Sequence, residues 1–266
     1  MATTADRRVE TRGRTRVAWD LVYRGLRISY KHAHSFTVAL GFFLVFGALI
    51  AITGTYAFAK LAELVREGYT HAFDVATLRW MERHQTPWLE QLMLEVTMLG
   101  TWIVVLSVVG VAALFLWLTR HKYSAALLLV ATAGGIGLNT ILKIGFDRPR
   151  PQVFEWGTHV SSSSFPSGHA MSSAVVYMTV AYLAARLQQT HRARIATIAV
   201  AIFVVVTICF SRMYLGVHYP SDVIAGVIIG LSWAAFCMAT LEALQRFAKR
   251  NAKQVLEHET PAEAPT

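Results

Sequence analysis

Three short polar blocks interrupt an otherwise apolar chain, each at the edge of a hydrophobic run. They are Lys143 followed after six residues by Arg150-Pro151, then Pro166-Ser167-Gly168-His169, then Ser211-Arg212 followed by His218 and Asp222. Together they bring three cations, two histidines and one carboxylate to the edge of a bilayer, where unpaired charge is costly and usually functional. A phosphoryl group in transfer spreads its charge over three equatorial oxygens that fixed cations stabilise. Lys143, Arg150 and Arg212 suit that task, the arginines as forked donors and the lysine as a point charge. Pro166 and Ser167 mark a helix start, whose unpaired N–H groups attract an anion. Gly168 lets the backbone come close to a phosphate oxygen. Taken alone, the tetrapeptide also fits an ordinary capped helix with an exposed histidine.

The third block carries the candidate nucleophile. Pro220 suits the first position of the last helix, so Asp222 falls in its first turn and His218 lies just before it, within reach of the carboxylate. A carboxylate on one ring nitrogen fixes the tautomer and leaves the other nitrogen as an outward lone pair, which makes His218 an oriented nucleophile. A helix cap beside a solvated histidine would account for Asp222 but not for Ser211 and Arg212 at the end of the neighbouring run. Arg148 is either a further cation of the site or a surface charge, with Asp147 as its partner. The blocks and their loops hold only Asp147, Glu155 and Asp222 as acids, too few for a two-metal clamp. Neither a metal nor another cofactor is expected.

The elements that must position these residues are membrane spans. Of the 266 residues, 55% are hydrophobic and 15% charged, and the mean hydropathy of +0.43 exceeds that of an ordinary soluble domain. Apolar runs long enough to cross ~30 Å of hydrocarbon lie at Ser35–Ala59, Leu92–Leu118, Tyr123–Leu142, Ala170–Leu187, Ile195–Phe210 and Val223–Leu244. The fold class is therefore all-α, a polytopic membrane protein of six transmembrane helices. With the N-terminus inside, seventeen of the 25 Lys and Arg residues fall in inner segments, as short cytoplasmic loops require. Both termini are then cytoplasmic, and all three blocks fall on the outer side. The net charge of +9 reads as a topology signal and not as a nucleic-acid footprint.

The sequence divides into a basic cytoplasmic segment (1–34), a six-span catalytic domain (35–245) and a cytoplasmic tail (246–266). The basic segment and Ala57-Phe58-Ala59 resemble a secretory signal, but the first apolar run exceeds the roughly 7–15 residues of such a signal, so a retained span is expected. Residues 1–30 fit an interfacial helix on anionic lipid as well as a disordered segment. From Asn251 the tail is rich in Glu, Ala and Pro without apolar period, and disorder is expected. Between Lys60 and Gln91 apolar and charged residues alternate at roughly helical spacing. That fits a surface helix pair on the bundle, favoured here, or a flap over a lipid entrance. Cys209 and Cys237 read as small core hydrophobes, and Gly134-Gly135-Ile136-Gly137 as helix-packing glycine.

The three blocks resemble the three-part signature of the type-2 phosphatidic acid phosphatase superfamily, the lipid phosphate phosphatases related to acid phosphatases and vanadium haloperoxidases. Lys143 with Arg150-Pro151 matches the first part, Pro166 to His169 the second, and Ser211, Arg212, His218 and Asp222 the third, over roughly residues 35–245. The resemblance implies a phosphatidic acid phosphatase/haloperoxidase-like helical bundle. It implies that His218 attacks phosphorus to form a phosphohistidine, that Asp222 orients it, and that His169 protonates the leaving oxygen and later activates water. Lys143, Arg150, Arg212, Ser167 and the Gly168 N–H would hold the phosphoryl oxygens, without a metal.

The implied partner is the bilayer, and the implied substrate a membrane lipid phosphate or diphosphate. Phosphatidic acid, phosphatidylglycerol phosphate and a polyprenyl diphosphate such as undecaprenyl diphosphate all present phosphate at headgroup depth, and nothing in the motifs reads the tail. A lipid phosphotransferase would use the same residues. A transporter would place its ionisable residues near the span centres, whereas here they gather at one face. The short basic inner loops suggest a bacterial inner membrane with the site facing the periplasm or exterior.

Overall fold

The computed structural model describes residues 36–153 and 162–259. The segment 1–34, Glu155 and the end of the tail lie outside the described residues. Those described form eight helices: α1 (Phe36–Arg66), α2 (His71–Arg83), α3 (Pro87–Met98), α4 (Trp102–Leu118), α5 (Lys122–Phe146), α6 (Gly168–Leu187), α7 (His191–Tyr214) and α8 (Pro220–Glu259). Five of them (α1 from Val45, α5, α6, α7 and α8) are long and apolar enough to cross a bilayer. Helices satisfy every backbone polar group within the segment, as hydrocarbon demands.

The second apolar run is not one straight span. It begins at Pro87, with Thr86 capping the Leu89 N–H at 3.4 Å, and bends by 45° between α3 and α4. Counted as one, the pair brings the number of spans to six. The bend falls at Gly100, where an added Cβ would stand 2.8 Å from His169 Cδ2 and 2.9 Å from Ile208 Cγ2. The carbonyl of Leu99, freed by the break, accepts from Tyr177 Oη at 2.7 Å.

Large apolar side chains such as Ile52, Ile103, Val111, Ile144 and Ile195 point outward, as in a lipid-facing surface. Inside, Val105 and Val109 of α4, Leu128 and Ala131 of α5, Val175 and Val176 of α6 and Cys237 of α8 make one core. Cys209 is buried in another with Ala170, Ala174 and Val223. Small residues set the helix approach, as is usual in membranes. A Cβ on Gly134 would overlap the Trp233 ring, whose Nε1 donates to Ala131 O at 2.8 Å.

Two compact units partition the chain: Phe46–Leu241 holds the whole candidate site, and Met1–Val45 with Glu242–Thr266 forms the other. The tail departs from the expectation of disorder, because α8 continues to Glu259. Ala, Lys, Arg, Gln and Leu make up eleven of the fourteen residues 243–256, and their helix propensity extends the backbone.

The stretch 60–91 does contain a helix pair, but α2 is more than a surface helix. It buries Asp74, Leu78 and Met81, one face at i, i+4 and i+7, and so sends a carboxylate inward.

Candidate active site

Two loop strands frame the site. Ser164 N–H donates to Arg148 O at 2.8 Å, and Arg148 N–H donates to Ser163 Oγ at 3.1 Å, so residues 148 and 163–164 are clipped side by side. Beneath them Phe165 is fully buried against Phe146 and Phe58, with ring centroids 5.0 and 5.6 Å apart. That aromatic anchor fixes the loop before α6 begins. Ser167 is the N-cap residue of α6, and its N–H donates to Asp222 O at 3.0 Å, which ties the starts of α6 and α8 together. The third strut is the end of α7. There Gly216 takes φ 68°, a left-handed conformation natural to glycine at a helix C-terminus, and Val217 N–H bonds back to Arg212 O at 3.2 Å.

The three cations of the sequence motifs converge on this frame. Lys143, in the last turn of α5, donates to Ser163 O at 2.9 Å and lies 3.5 Å from Ser162 Oγ. Arg150 donates to Ser162 O at 3.0 Å and Val217 O at 2.9 Å. Arg212, in the last turn of α7, donates to Thr97 Oγ1 at 2.7 Å. None of the three has a carboxylate partner among the described residues. Ser167 Oγ and Arg212 Nε are buried without any hydrogen-bond partner, which is unusual for buried polar atoms and leaves two donors for an anion. Gly168 is the first residue of α6, and His169 the second. His169 sits close enough to Arg212, His218, Lys143 and Arg150 to feel the charge of each. Ser211 instead donates to Ile208 O at 2.7 Å within its own helix.

His218 lies between the cations and a carboxylate. Its Nε2 is 3.3 Å from Arg150 Nη1, while Nδ1 is 3.4 Å from Ser164 Oγ and 3.6 Å from Asp222 Oδ2. Ser164 bridges the pair, donating to Asp222 Oδ2 at 2.5 Å, and the Tyr219 N–H donates to the same oxygen at 2.9 Å. Burial pushes the His218 pKa down to about 4, against the opposing pull of Asp222. The ring is therefore neutral at ordinary pH, with one nitrogen toward the carboxylate and the other toward the cations.

Arg148 does not pair with Asp147 and is not a surface charge. Asp147 ends α5 in a left-handed conformation (φ 31°, ψ 45°), and Arg148 turns inward over the Tyr219 ring, 4.2 Å from its centroid. Its guanidinium bridges Asp222 Oδ1 at 2.5 Å and Asp74 Oδ2 at 2.9 Å. Asp74, fully buried, also accepts the Ser221 N–H at 3.0 Å and the Ser221 Oγ–H at 2.6 Å. Asp74, Ser164 and Thr97 are thus site neighbours that the motifs do not contain. The one sequence signal for Asp74 is an acid on the apolar stripe of α2.

Known proteins resemble this chain in sequence and in fold. The family model of the PAP2 superfamily matches residues 124–246. Phosphatidylglycerophosphatase B of Bacillus subtilis is 31% identical over 196 residues, covering 73% of this chain and 95% of its own. Undecaprenyl-diphosphatase of Sulfolobus acidocaldarius is 27% identical over 179 residues, covering 64% and 79%. The crystal structure of a transmembrane PAP2-type phosphatidylglycerolphosphate phosphatase from Bacillus subtilis superposes with a TM-score of 0.70 at 29% identity, over 74% of this chain and 98% of that one. The chain belongs to the PAP2 superfamily. It is a multi-pass membrane enzyme that hydrolyses phosphoric esters, a lipid phosphatase.

Proposed function

We propose that this protein removes the terminal phosphate from a lipid of the phosphatidylglycerol phosphate class, through a phosphohistidine on His218, at the outer face of the membrane and without a metal. One observation carries the reading: a buried neutral imidazole faces a cation with Nε2 and a carboxylate with Nδ1. The choice of lipid is supported by the likeness to phosphatidylglycerophosphatase B over almost all of that protein's length. The outer-face assignment is supported by the concentration of Lys and Arg in the inner segments. Residues 35–245 are then the catalytic domain, with both termini cytoplasmic.

In the first step the Nε2 lone pair forms the bond to phosphorus as the bond to the lipid oxygen breaks, and His169 gives that oxygen its proton. The ring acquires positive charge, which Asp222 stabilises through Nδ1–H. Lys143, Arg150, Arg212, the Ser167 hydroxyl and the Gly168 N–H take the equatorial oxygens, supplying the electrostatic stabilisation that dominates phosphoryl transfer. In the second step His169, now neutral, takes a proton from water as the water oxygen attacks phosphorus. The N–P bond breaks, and inorganic phosphate leaves.

The test is a lipid panel with purified protein in detergent, measuring phosphate released from phosphatidylglycerol phosphate, phosphatidic acid and undecaprenyl diphosphate. Preference for the first is expected; a strong preference for the diphosphate would overturn the substrate assignment. Rapid acid-free quench with labelled lipid should trap label on the wild type and none on H218A, while H169A should accumulate it with an activated ester. Label retained by H218A would refute the phosphohistidine.

A further inference from the structure

We propose that Asp74, on the outer helix α2, is a positioning residue of the catalytic centre: it holds and counterbalances Arg148 so that Asp222 keeps its negative charge for His218. The proposal rests on the reading of His218 as the nucleophile.

The geometry is a charge relay through a single guanidinium. Arg148 contacts Asp222 with one terminal nitrogen and Asp74 with the other, and its face is covered by Tyr219. Among the described residues these are the two carboxylates paired with it. If Arg148 touched Asp222 alone, its full charge would oppose the carboxylate that must stabilise a cationic ring during attack. Asp74 offsets that charge, leaving a net of one negative charge behind the imidazole. The same Asp74 oxygens accept from Ser221 N–H and Oγ–H, groups in the first turn of α8, one residue before Asp222. Helix starts have unpaired N–H groups, and here a residue 147 positions away supplies the acceptor. Asp74 therefore fixes both the orientation of the Asp222 turn and the charge on it.

Four proteins then set the charge behind His218 at three levels. Relative to wild type at −1, D74N leaves 0, R148Q leaves −2, and D74N/R148Q returns to −1. Asn at position 74 still offers an oxygen to the Ser221 N–H, but its amide nitrogen replaces the oxygen that accepts from Arg148 and the Ser221 hydroxyl, so the double variant is needed to separate charge from hydrogen bonding. The other groups facing His218 are Asp222 of α8, Arg150 of the loop, Arg212 of α7 and His169 of α6. Lys143 of α5 acts on His169 and Asp222. None of these differs among the four proteins, so a displacement between them reports the charge behind Asp222.

The experiment measures kcat, KM and the acid limb of the rate–pH profile for the full chain in detergent micelles. D74N is expected to lose about 10–100-fold in kcat, the range for partners one step behind a reacting group, with KM little changed. Its acid limb should move to lower pH, because a less negative surrounding disfavours the imidazolium. R148Q should move the limb to higher pH, and D74N/R148Q should bring it back to the wild-type position. A purely structural role would lower kcat with the limb unmoved and leave the double variant no better than either single one; that result overturns the proposal. If D74N cannot be obtained folded, R148Q against D74N/R148Q decides, and failure of the limb to return overturns it equally. H218A, run alongside, separates the two readings. A phosphoenzyme persisting in H218A removes the nucleophile assignment, whereas an inactive H218A beside a fully active D74N removes the role of Asp74 alone.

Discussion

Gly226 offers a test of how closely the two halves of the site must approach. It lies on α8 one turn beyond Asp222, and a Cβ there would stand 2.7 Å from Ser167 O, 3.1 Å from Ala170 Cβ and 3.2 Å from Met171 N. Two of those neighbours are backbone atoms, which cannot swing away. An ordinary carbon–oxygen contact is about 3.3 Å, so in G226A the start of α6 must withdraw by about half an ångström. That withdrawal separates Ser167, Gly168 and His169 from His218 and Asp222 and stretches the Ser167 N–H to Asp222 O bond of 3.0 Å. Misplacement by 1 Å costs ~10²-fold in rate, so half of it should lower kcat about 10-fold. Overpacking costs about 1–3 kcal/mol, partly offset by a helix-propensity gain of up to ~1 kcal/mol; the net loss of stability should be about 1 kcal/mol. Kinetics on lipid phosphate in micelles and a thermal melt measure the two separately. G110A is the control, since a Cβ there meets nothing within 4 Å, and it should match the wild type in kcat. A G226A protein with wild-type kcat would refute the idea that the α6–α8 contact sets the catalytic geometry.

Further outcomes are expected. S167A should lose about 10–100-fold in kcat/KM, the worth of a hydrogen bond to a charged group, with an unchanged melting temperature, because the hydroxyl makes no bond in the resting protein; a lowered melting temperature would mean it is structural. Activity should survive EDTA, and loss restored by magnesium would sink the metal-free mechanism. Activity should persist as pH falls below the ordinary histidine range and disappear as it drops through about 4, where protonation removes the His218 lone pair; a limb near 6.5 would mean the ring is hydrated. A cysteine introduced at the exposed Gln152 should react with an impermeant thiol reagent from outside, while a reporter after Thr266 reports cytoplasm; Cys209 and Cys237 are buried and give little background. Reversed labelling would invert the topology.

What could be read from the chain was local. Spans declare themselves by the length of an apolar run, and the cations and histidines by their spacing within short blocks at helix ends. Asp74 escaped because its partners Arg148 and Ser221 lie 74 and 147 residues away, and a lone acid among loop charges looks solvated until the helix carrying it is packed. Arg148 was ambiguous because its direction depends on the left-handed turn at Asp147, which L-residues adopt rarely. Ser164 is one of four consecutive serines, all equally good turn residues, and only packing decides which one meets Asp222. The 45° bend was hidden because Leu99-Gly100-Thr101 does not break the apolar run that defines a span.

Lys143, Arg150 and Arg212 rest on neutral acceptors: Ser162 and Ser163 carbonyls, the Val217 carbonyl and the Thr97 hydroxyl. An arriving oxyanion therefore has no internal ion pair to break. The same is true of the oxyanion that remains after hydrolysis, since inorganic phosphate keeps the three phosphoryl oxygens and carries a water oxygen where the lipid oxygen was. Product and substrate would then compete for one pre-charged receptor, so free phosphate is expected to act as a competitive inhibitor, raising the apparent KM for the lipid and leaving kcat unchanged.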